Sequence, residues 1–565
     1  MKQEKRSAPR VAIACQGGGS LAAFTAGVLK RLAAADLSSE FQVGGLSGAS
    51  GGALSACVAW IELLKNGPAG VGQALESFWR DNTAQYPWEL LSNAVLVGAT
   101  LGTADVTMSP YMFPLAFLET ASKLLSPRKE FVDLESLIRL HVPVDDLRIL
   151  ARFQAISREL EAWLTAEDGK ALGLTYVDEG SAAPDAELVR RAAVGARELD
   201  WAVLKSDDIA RGIERIEAIA AESNGGALTA SAARKILAIQ RKINAAIPVL
   251  LAGAVNARSG DFKAFNSAHG EIDLNALLAS SAVPWVFKAV EGKYWDGLFS
   301  QNPPVRNFLT DAVTVAEKPD EIWVVQLASQ QSPEPTTGTQ IVTRRIELSS
   351  NLSVNQELAA IHALNRRMTQ GVLQDPGCKL IGIHWIRLDH ALLDRNWPAG
   401  AASMVDRNPE YIRALIEHGF EQASSFLPAR GFVEEIWNQA DPEQRQAAEG
   451  RWCGSGAGEA VGIVEAMHRD IDCLHVDVEG MDIGRSQEGE PAATATFDWT
   501  ACGLLRGSRS FVVLQGSATL GVDENMVQSA RIGDVRFEAV GSSANGTSSR
   551  RPQPAALEPE AQQRP

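Results

Sequence analysis

Two glycine-rich turns near the start of the chain carry the residues best suited to chemistry. One reads Gly48-Ala49-Ser50-Gly51-Gly52, a G-x-S-x-G pattern between the strand-like Phe41–Ser47 and the apolar run Ala53–Trp60. A serine so placed sits on a sharp strand-to-helix turn, its hydroxyl exposed above a helix N-terminus, and the glycines give the strained backbone room. The other turn, Gly17-Gly18-Gly19-Ser20, follows the apolar run Val11–Cys15. Consecutive backbone N–H groups at a helix start offer fixed positive charge where a tetrahedral intermediate turns negative. A nucleophile, Ser50, with an oxyanion site at Gly17, Gly18 and Gly19 points to acyl transfer or hydrolysis.

A serine hydroxyl needs a base within hydrogen-bond reach. The candidate is Asp296, which ends an apolar-aromatic strand, Tyr294-Trp295, and precedes Gly297. Each element has a plainer reading. G-x-S-x-G can be a tight turn, and Asp-Gly turns are common. Ser47 fits the motif less well, because Ala49 stands two residues on. A phosphate-binding loop would need a lysine after the glycines, and a dinucleotide fingerprint a glycine where Ala22 stands. His384, in the apolar run Leu380–Leu388, keeps a Ser…Asp…His order open, although a histidine there is more often a packed one. His390, beside Asp389, reads as a surface or turn residue. Arg344-Arg345 with Glu347 suits either an anionic head group or a solvated helix face. Trp285 and Trp295 suit an acyl pocket or the core.

The elements that must position these residues alternate strand and helix: Val11–Cys15, a helix over Leu21–Ala35, Phe41–Ser47, a helix from Ala53 to about Leu64. That order implies a parallel sheet covered on both faces, an α/β fold. Residues 134–247 carry helical periodicity and read as a helical insertion or cap. Pro248–Val255, Phe262–Asn266, Glu321–Leu327 and Leu380–Leu388 read as further strands, and Ser329–Gly338 as a loop. A helix over Glu410–Phe426 ends at a turn, Pro428–Gly431. Two helices (Pro442–Trp452, Glu459–Ile471) and four strand-like stretches then suggest a separate α+β domain over 432–540. Residues 1–10 and the Ser/Pro/Gln-rich 541–565 read as disordered.

The chain has 565 residues, room for two to four domains, and a net charge of -16 that argues against nucleic acid as a partner. Six cysteines without C-x-x-C spacing argue against zinc or redox motifs and read as reduced thiols of a cytoplasmic protein. No histidine–carboxylate ligand cluster is evident, so neither metal nor cofactor is expected. The uncharged run Val11–Leu29 is interrupted by Gln16 and three glycines, which fits strand, turn and helix better than a targeting segment. Aromatic residues at 85–126 suit peripheral contact with lipid, or packing beneath the insertion.

Together, VAIACQGGGSLAAFTAGVL, GLSGASGGALSA and ALLASSAVPWVF…YWDGLFSQNPPV resemble the patatin-like phospholipases over residues 10–330. The resemblance implies a three-layer α/β/α fold, with an acyl hydrolase domain over 11–430. It also implies a Ser50–Asp296 dyad without histidine, oxyanion donors at Gly17–Gly19, and a lipid or other acyl-ester substrate. Two departures stand out: Leu21-Ala22 where the family often has a basic residue and glycine, and Leu298 at the third position of its D-G-[GA] motif. They motivate an alternative, a non-hydrolytic lipid-binding or scaffold protein on the same fold. Residues 432–540 faintly resemble the SnoaL-like, ketosteroid-isomerase-like cone fold.

Overall fold

The computed structural model describes residues 8–34, 40–102, 126–171, 183–438 and 471–540, with shorter omissions inside these ranges. The first sheet is built from β1 (Arg10–Cys15), β2 (Gln42–Gly48), β3 (Val249–Asn256), β4 (Phe262–Asn266), β5 (Tyr294–Asp296), β6 (Glu321–Gln326) and β7 (Gly382–Arg387). Its order is β4-β3-β2-β1-β6-β7, and β5 pairs with β3. Strands β3, β2, β1, β6 and β7 run parallel; β4 and β5 are antiparallel to β3.

Both faces of this sheet are buried, and the strand sequences show why. Val11, Ile13 and Cys15 enter one hydrophobic core while Ala12 and Ala14 enter another. On β6, Trp323 and Val325 divide from Ile322 and Val324 in the same way. Successive side chains of a strand point to opposite faces, so runs apolar at every position need cover on both.

One face is covered by α1 (Ala23–Leu32) and α2 (Ser50–Lys65), with α3 (Val71–Asn82) packed on them and α4 (Pro87–Gly102) following in the chain. The inserted helices are α5 (Val144–Ala171), α6 (Ala186–Glu198), α7 (Asp207–Ala221) and α8 (Ala230–Ala246), followed by α9 (Leu274–Ser280), α10 (Gly338–Thr369) and α11 (Pro409–Asn438). Helix α10 covers the second face with Val354, Leu358 and Ile361, one stripe at helical spacing. Helices α1 and α11 touch backbone to backbone. A Cβ at Gly27 would lie 1.9 Å from the Ile416 carbonyl oxygen, and one at Gly419 2.0 Å from that of Phe24. In the insertion, Asp185 and Thr229 cap α6 and α8, and Arg241 of α8 pairs with Glu161 of α5 at 2.6 Å.

Two expectations are corrected. The helix after the first glycine turn opens with a 3₁₀ turn at Gly19–Ala22 and ends at Leu32. Helix α11 does not stop at Phe426 but runs through Pro428–Gly431 to Asn438. A proline removes one N–H from the helical ladder, and the turns on either side carry the helix past it. Beyond α11, five strands form an antiparallel sheet: β8 (Ile471–Arg485), β9 (Ala493–Leu505), β10 (Phe511–Asp523), β11 (Met526–Ile532) and β12 (Arg536–Val540). Its order is β11-β10-β9-β8, with β12 also on β10. The helices expected at 442–452 and 459–471 lie outside the described residues except for Ile471, which opens strand β8, and the terminal segments 1–7 and 541–565 lie outside them too.

Candidate active site

The register of the first sheet brings Ser50 and Asp296 together. Strand β3 pairs with β4 along one edge, from Leu251 to Val255. Its other edge holds β2 up to Gly48, opposite Ala252, where β2 turns off into α2. Strand β5 takes over that edge, setting Asp296 opposite Ala254. The elbow serine and the aspartate therefore meet where one strand leaves the edge and the other begins.

Ser50 is the first residue of α2 and has a left-handed backbone, φ 53°. A non-glycine residue in that region is strained and persists only where its surroundings enforce it. Here the enforcement is close packing. A Cβ on Gly52 would lie 2.5 Å from the carbonyl oxygens of both Cys15 and Gln16, so the start of α2 rests directly on the end of β1. A Cβ on Gly17 would meet the Ala49 carbonyl oxygen at 2.5 Å and Ser50 Cβ at 3.0 Å. One on Gly297, beside the aspartate, would meet Ala49 Cβ at 2.9 Å. Three segments distant in sequence thus converge on the elbow.

Asp296 is fully buried. Its Oδ1 accepts the Leu298 N–H at 2.8 Å, while Oδ2 makes no hydrogen bond of normal geometry. Burial pushes its carboxyl up from 3.8 to about 7, against smaller downward pulls from the Leu298 N–H and from the neighbouring Ser50 hydroxyl. A carboxylate poised near neutrality, with one oxygen free and a serine hydroxyl beside it, is equipped to take and return a proton. Leu298 makes this contact through its backbone N–H.

The glycine turn is rooted by Gln16, whose Oε1 accepts the N–H groups of Leu327 and Ala328 at 2.8 Å each. Its Nε2 donates to Asn351 Oδ1 at 2.9 Å and the Ser350 carbonyl at 3.1 Å. Gly19 takes φ 59°, and a Cβ there would lie 2.1 Å from the Met404 carbonyl oxygen. Of the three expected donors, Gly17 is already engaged: its N–H donates to Asn302 Oδ1 at 2.6 Å. That leaves Gly18 and Gly19 as the candidate donors of this turn. Gly51 N–H, in the first turn of α2, adds a third helix-terminal donor directly behind Ser50. The sequence reading missed Asn302, whose only signal was an Asn-Pro pair shortly after the Asp-Gly turn.

Other candidates fall elsewhere. His384 lies mid-strand opposite Trp323, itself opposite Ile13, and its Nε2 is 3.5 Å from Glu321 Oε2. The fold does not bring it to Ser50. His390 is half-buried and donates from Nε2 to the Leu327 carbonyl at 2.6 Å. Arg344 is spent on the carbonyls of Ser329 and Gln330 and on Glu347. Leu21 and Ala22 are buried in the core, so no side chain there meets a head group. Trp295 is half-buried opposite Val255, and Trp285 lies outside the described residues. Burial raises the thiols of Cys15 and Cys57, the latter to about 12, which leaves both inert as nucleophiles.

A two-faced α/β/α sheet, with a strained serine elbow beside a buried carboxylate, is the architecture of a hydrolase. Residues 13–309, just over half of the chain, match the family model "Patatin-like phospholipase", and the chain belongs to that family. No curated protein matches it. Among solved structures, VipD from Legionella pneumophila aligns at 11% identity over 82% of this chain and 74% of that one. Its TM-score of 0.28 is too low to add to the family match.

Proposed function

We propose that this chain hydrolyses fatty acyl esters of lipids through a Ser50–Asp296 dyad. The observation that carries the reading is the buried Asp296 carboxyl, raised to about 7, beside the Ser50 hydroxyl on its left-handed elbow. In the first step Asp296 Oδ2 takes the hydroxyl proton and Ser50 Oγ attacks the ester carbonyl carbon. The developing oxyanion faces the Gly18 and Gly19 N–H groups and the N-terminus of α2. Collapse expels the alcohol, which receives the proton held by Asp296, and leaves an acyl-serine. Water then attacks the acyl-serine while Asp296 takes its proton, and collapse releases the fatty acid as Asp296 returns that proton to Ser50 Oγ. Each such donor lowers the barrier by roughly 3–4 kcal/mol.

A fluorophosphonate probe tests this directly. Labelling of the wild-type protein but not of Ser50→Ala is expected, with lipid esters cleaved only by the former. Labelling of neither would favour the non-hydrolytic alternative. Against that alternative, the contact of Leu298 with Asp296 is made by the backbone N–H, which any residue at this position can supply.

Peripheral contact with a lipid surface, at a cytoplasmic location, belongs to the same reading. Helix α4 exposes Leu90, Leu91 and Val95, with Leu91 66% exposed. Among the described residues no helix is long and apolar enough to cross a membrane. The same proposal assigns hydrolysis to residues 11–430 and treats the antiparallel sheet within 432–540 as a separate α+β domain, with no part in catalysis.

A further inference from the structure

We infer that Asn302 is the positioning residue of the oxyanion site: its carboxamide clamps Gly17 and thereby turns the Gly18 N–H outward, toward the reacting carbonyl. The inference rests on the proposed dyad and extends it to a residue that touches neither substrate nor nucleophile.

Asn302 is fully buried and reaches Gly17 twice. Oδ1 accepts the Gly17 N–H at 2.6 Å, and Nδ2 donates to the Gly17 carbonyl at the long distance of 3.5 Å. Only one orientation of the carboxamide serves both atoms, so the amide is assigned by its partners. The two contacts belong to two successive peptide units. The Gln16–Gly17 unit gives its N–H to Asn302, and the Gly17–Gly18 unit turns its C=O to Asn302. A trans peptide is planar, with C=O and N–H opposed. The Gly18 N–H must therefore point away from Asn302. Three glycines in succession have many backbone rotations open to them, and nothing in their own side chains selects among these. The clamp does.

The clamp is itself held rigidly. Asn302 N–H donates to Ser353 Oγ at 3.0 Å. One turn further along α10, Glu357 Oε2 accepts the N–H groups of Val305 and Arg306 at 2.8 Å each. Its other oxygen accepts from Gln301 Nε2 at 2.6 Å. The segment leading away from Asp296 is thus fastened to one face of α10, and a single loop carries both the base and the part that aims the oxyanion donors. If a peptide in the glycine turn rotates, donors are lost, while Ser50 and Asp296 stay where they are.

Asn302→Leu removes both contacts at similar volume. Against a soluble acyl ester, kcat should fall roughly 30- to 300-fold, approaching the loss seen when a donor itself is deleted. KM should stay within threefold, and the acid limb of kcat/KM should remain near pH 7, because the surroundings of Asp296 are untouched. A general disturbance of the site would move that limb as well. Asn302→Ala, a smaller change, carries the same test if the leucine variant does not fold. Asn302→Asp keeps an acceptor for Gly17 N–H in nearly the same shape and should come closest to wild-type activity, measured at the same pH, at the acid end of the range, with its deficit against wild type widening as pH rises. An Asn302→Leu or Asn302→Ala variant within threefold of wild type, or one that gains activity because Gly17 N–H is released, would overturn the inference. So would a loss of kcat with a displaced acid limb. A wild-type protein that neither hydrolyses the ester nor labels at Ser50 would instead sink the dyad, and the two failures are distinguishable.

Discussion

Replacing Asp296 by asparagine should abolish turnover and at the same time stabilise the fold above neutral pH. The carboxyl is raised from an ordinary 3.8 to about 7 because no solvent and no cation compensates its charge. At 1.36 kcal/mol for each tenfold change, ionising it in the folded protein costs about 4 kcal/mol more than in the unfolded chain. The sign follows from linkage. Below pH 3.8 the group is protonated in both states and costs nothing. Between 3.8 and about 7 the unfolded chain ionises first, and stability falls with rising pH. Above about 7 both forms are ionised and the full loss persists. Asparagine keeps the acceptor for the Leu298 N–H and carries no charge, so it escapes the loss. The assay is the thermal midpoint of wild type and Asp296→Asn at pH 5 and pH 8. The advantage of the variant should grow between the two, reaching several degrees at pH 8, since a large domain shifts by about 2 °C per kcal/mol. In parallel, wild-type kcat/KM should rise with pH through about 7, because only the ionised carboxylate accepts a proton. An advantage equal at both pH values, or an activity limb near 4, would refute a buried, raised carboxyl as the base.

The elbow and its neighbours give further tests. Ser50→Gly should be as inactive as Ser50→Ala but more stable than it by about 1 kcal/mol, because glycine accepts φ 53° without strain; chemical denaturation reads the difference. Gly52→Ala forces a Cβ to within 2.5 Å of two β1-end carbonyl oxygens and should destabilise by about 3 kcal/mol or fail to yield soluble protein, as judged by expression and thermal melting. His384→Ala should leave ester turnover within about fivefold of wild type, whereas loss of a triad histidine costs more than 10³-fold; its ring faces Glu321, away from the elbow.

Local chemistry made much of this protein legible without a structure. Glycines at a strand-to-helix turn announce an elbow, apolar runs at every position announce strands buried on both faces, and the order of strands and helices announces the parallel centre of the sheet, though not that β4 and β5 join it antiparallel. Each of these depends on neighbours a few residues away, so the sequence carries it directly. Ser50 and Asp296 were readable for the same reason, each at the end of a strand before a glycine. The course of α11 past Pro428 was not, because a proline that usually ends a helix can be overridden by the turns flanking it.

What tertiary structure alone decided was the electrical state and aim of the site. The Asp296 pKa depends on how completely distant segments exclude water from it. The fate of the Gly17 N–H depends on a carboxamide 285 residues further along the chain. Solvent exclusion and long-range hydrogen bonds are properties of packing, which local spacing does not encode, and so the proposed nucleophile and base are readable from the sequence while the hydrogen-bond state of the glycine turn beside them is visible only in three dimensions.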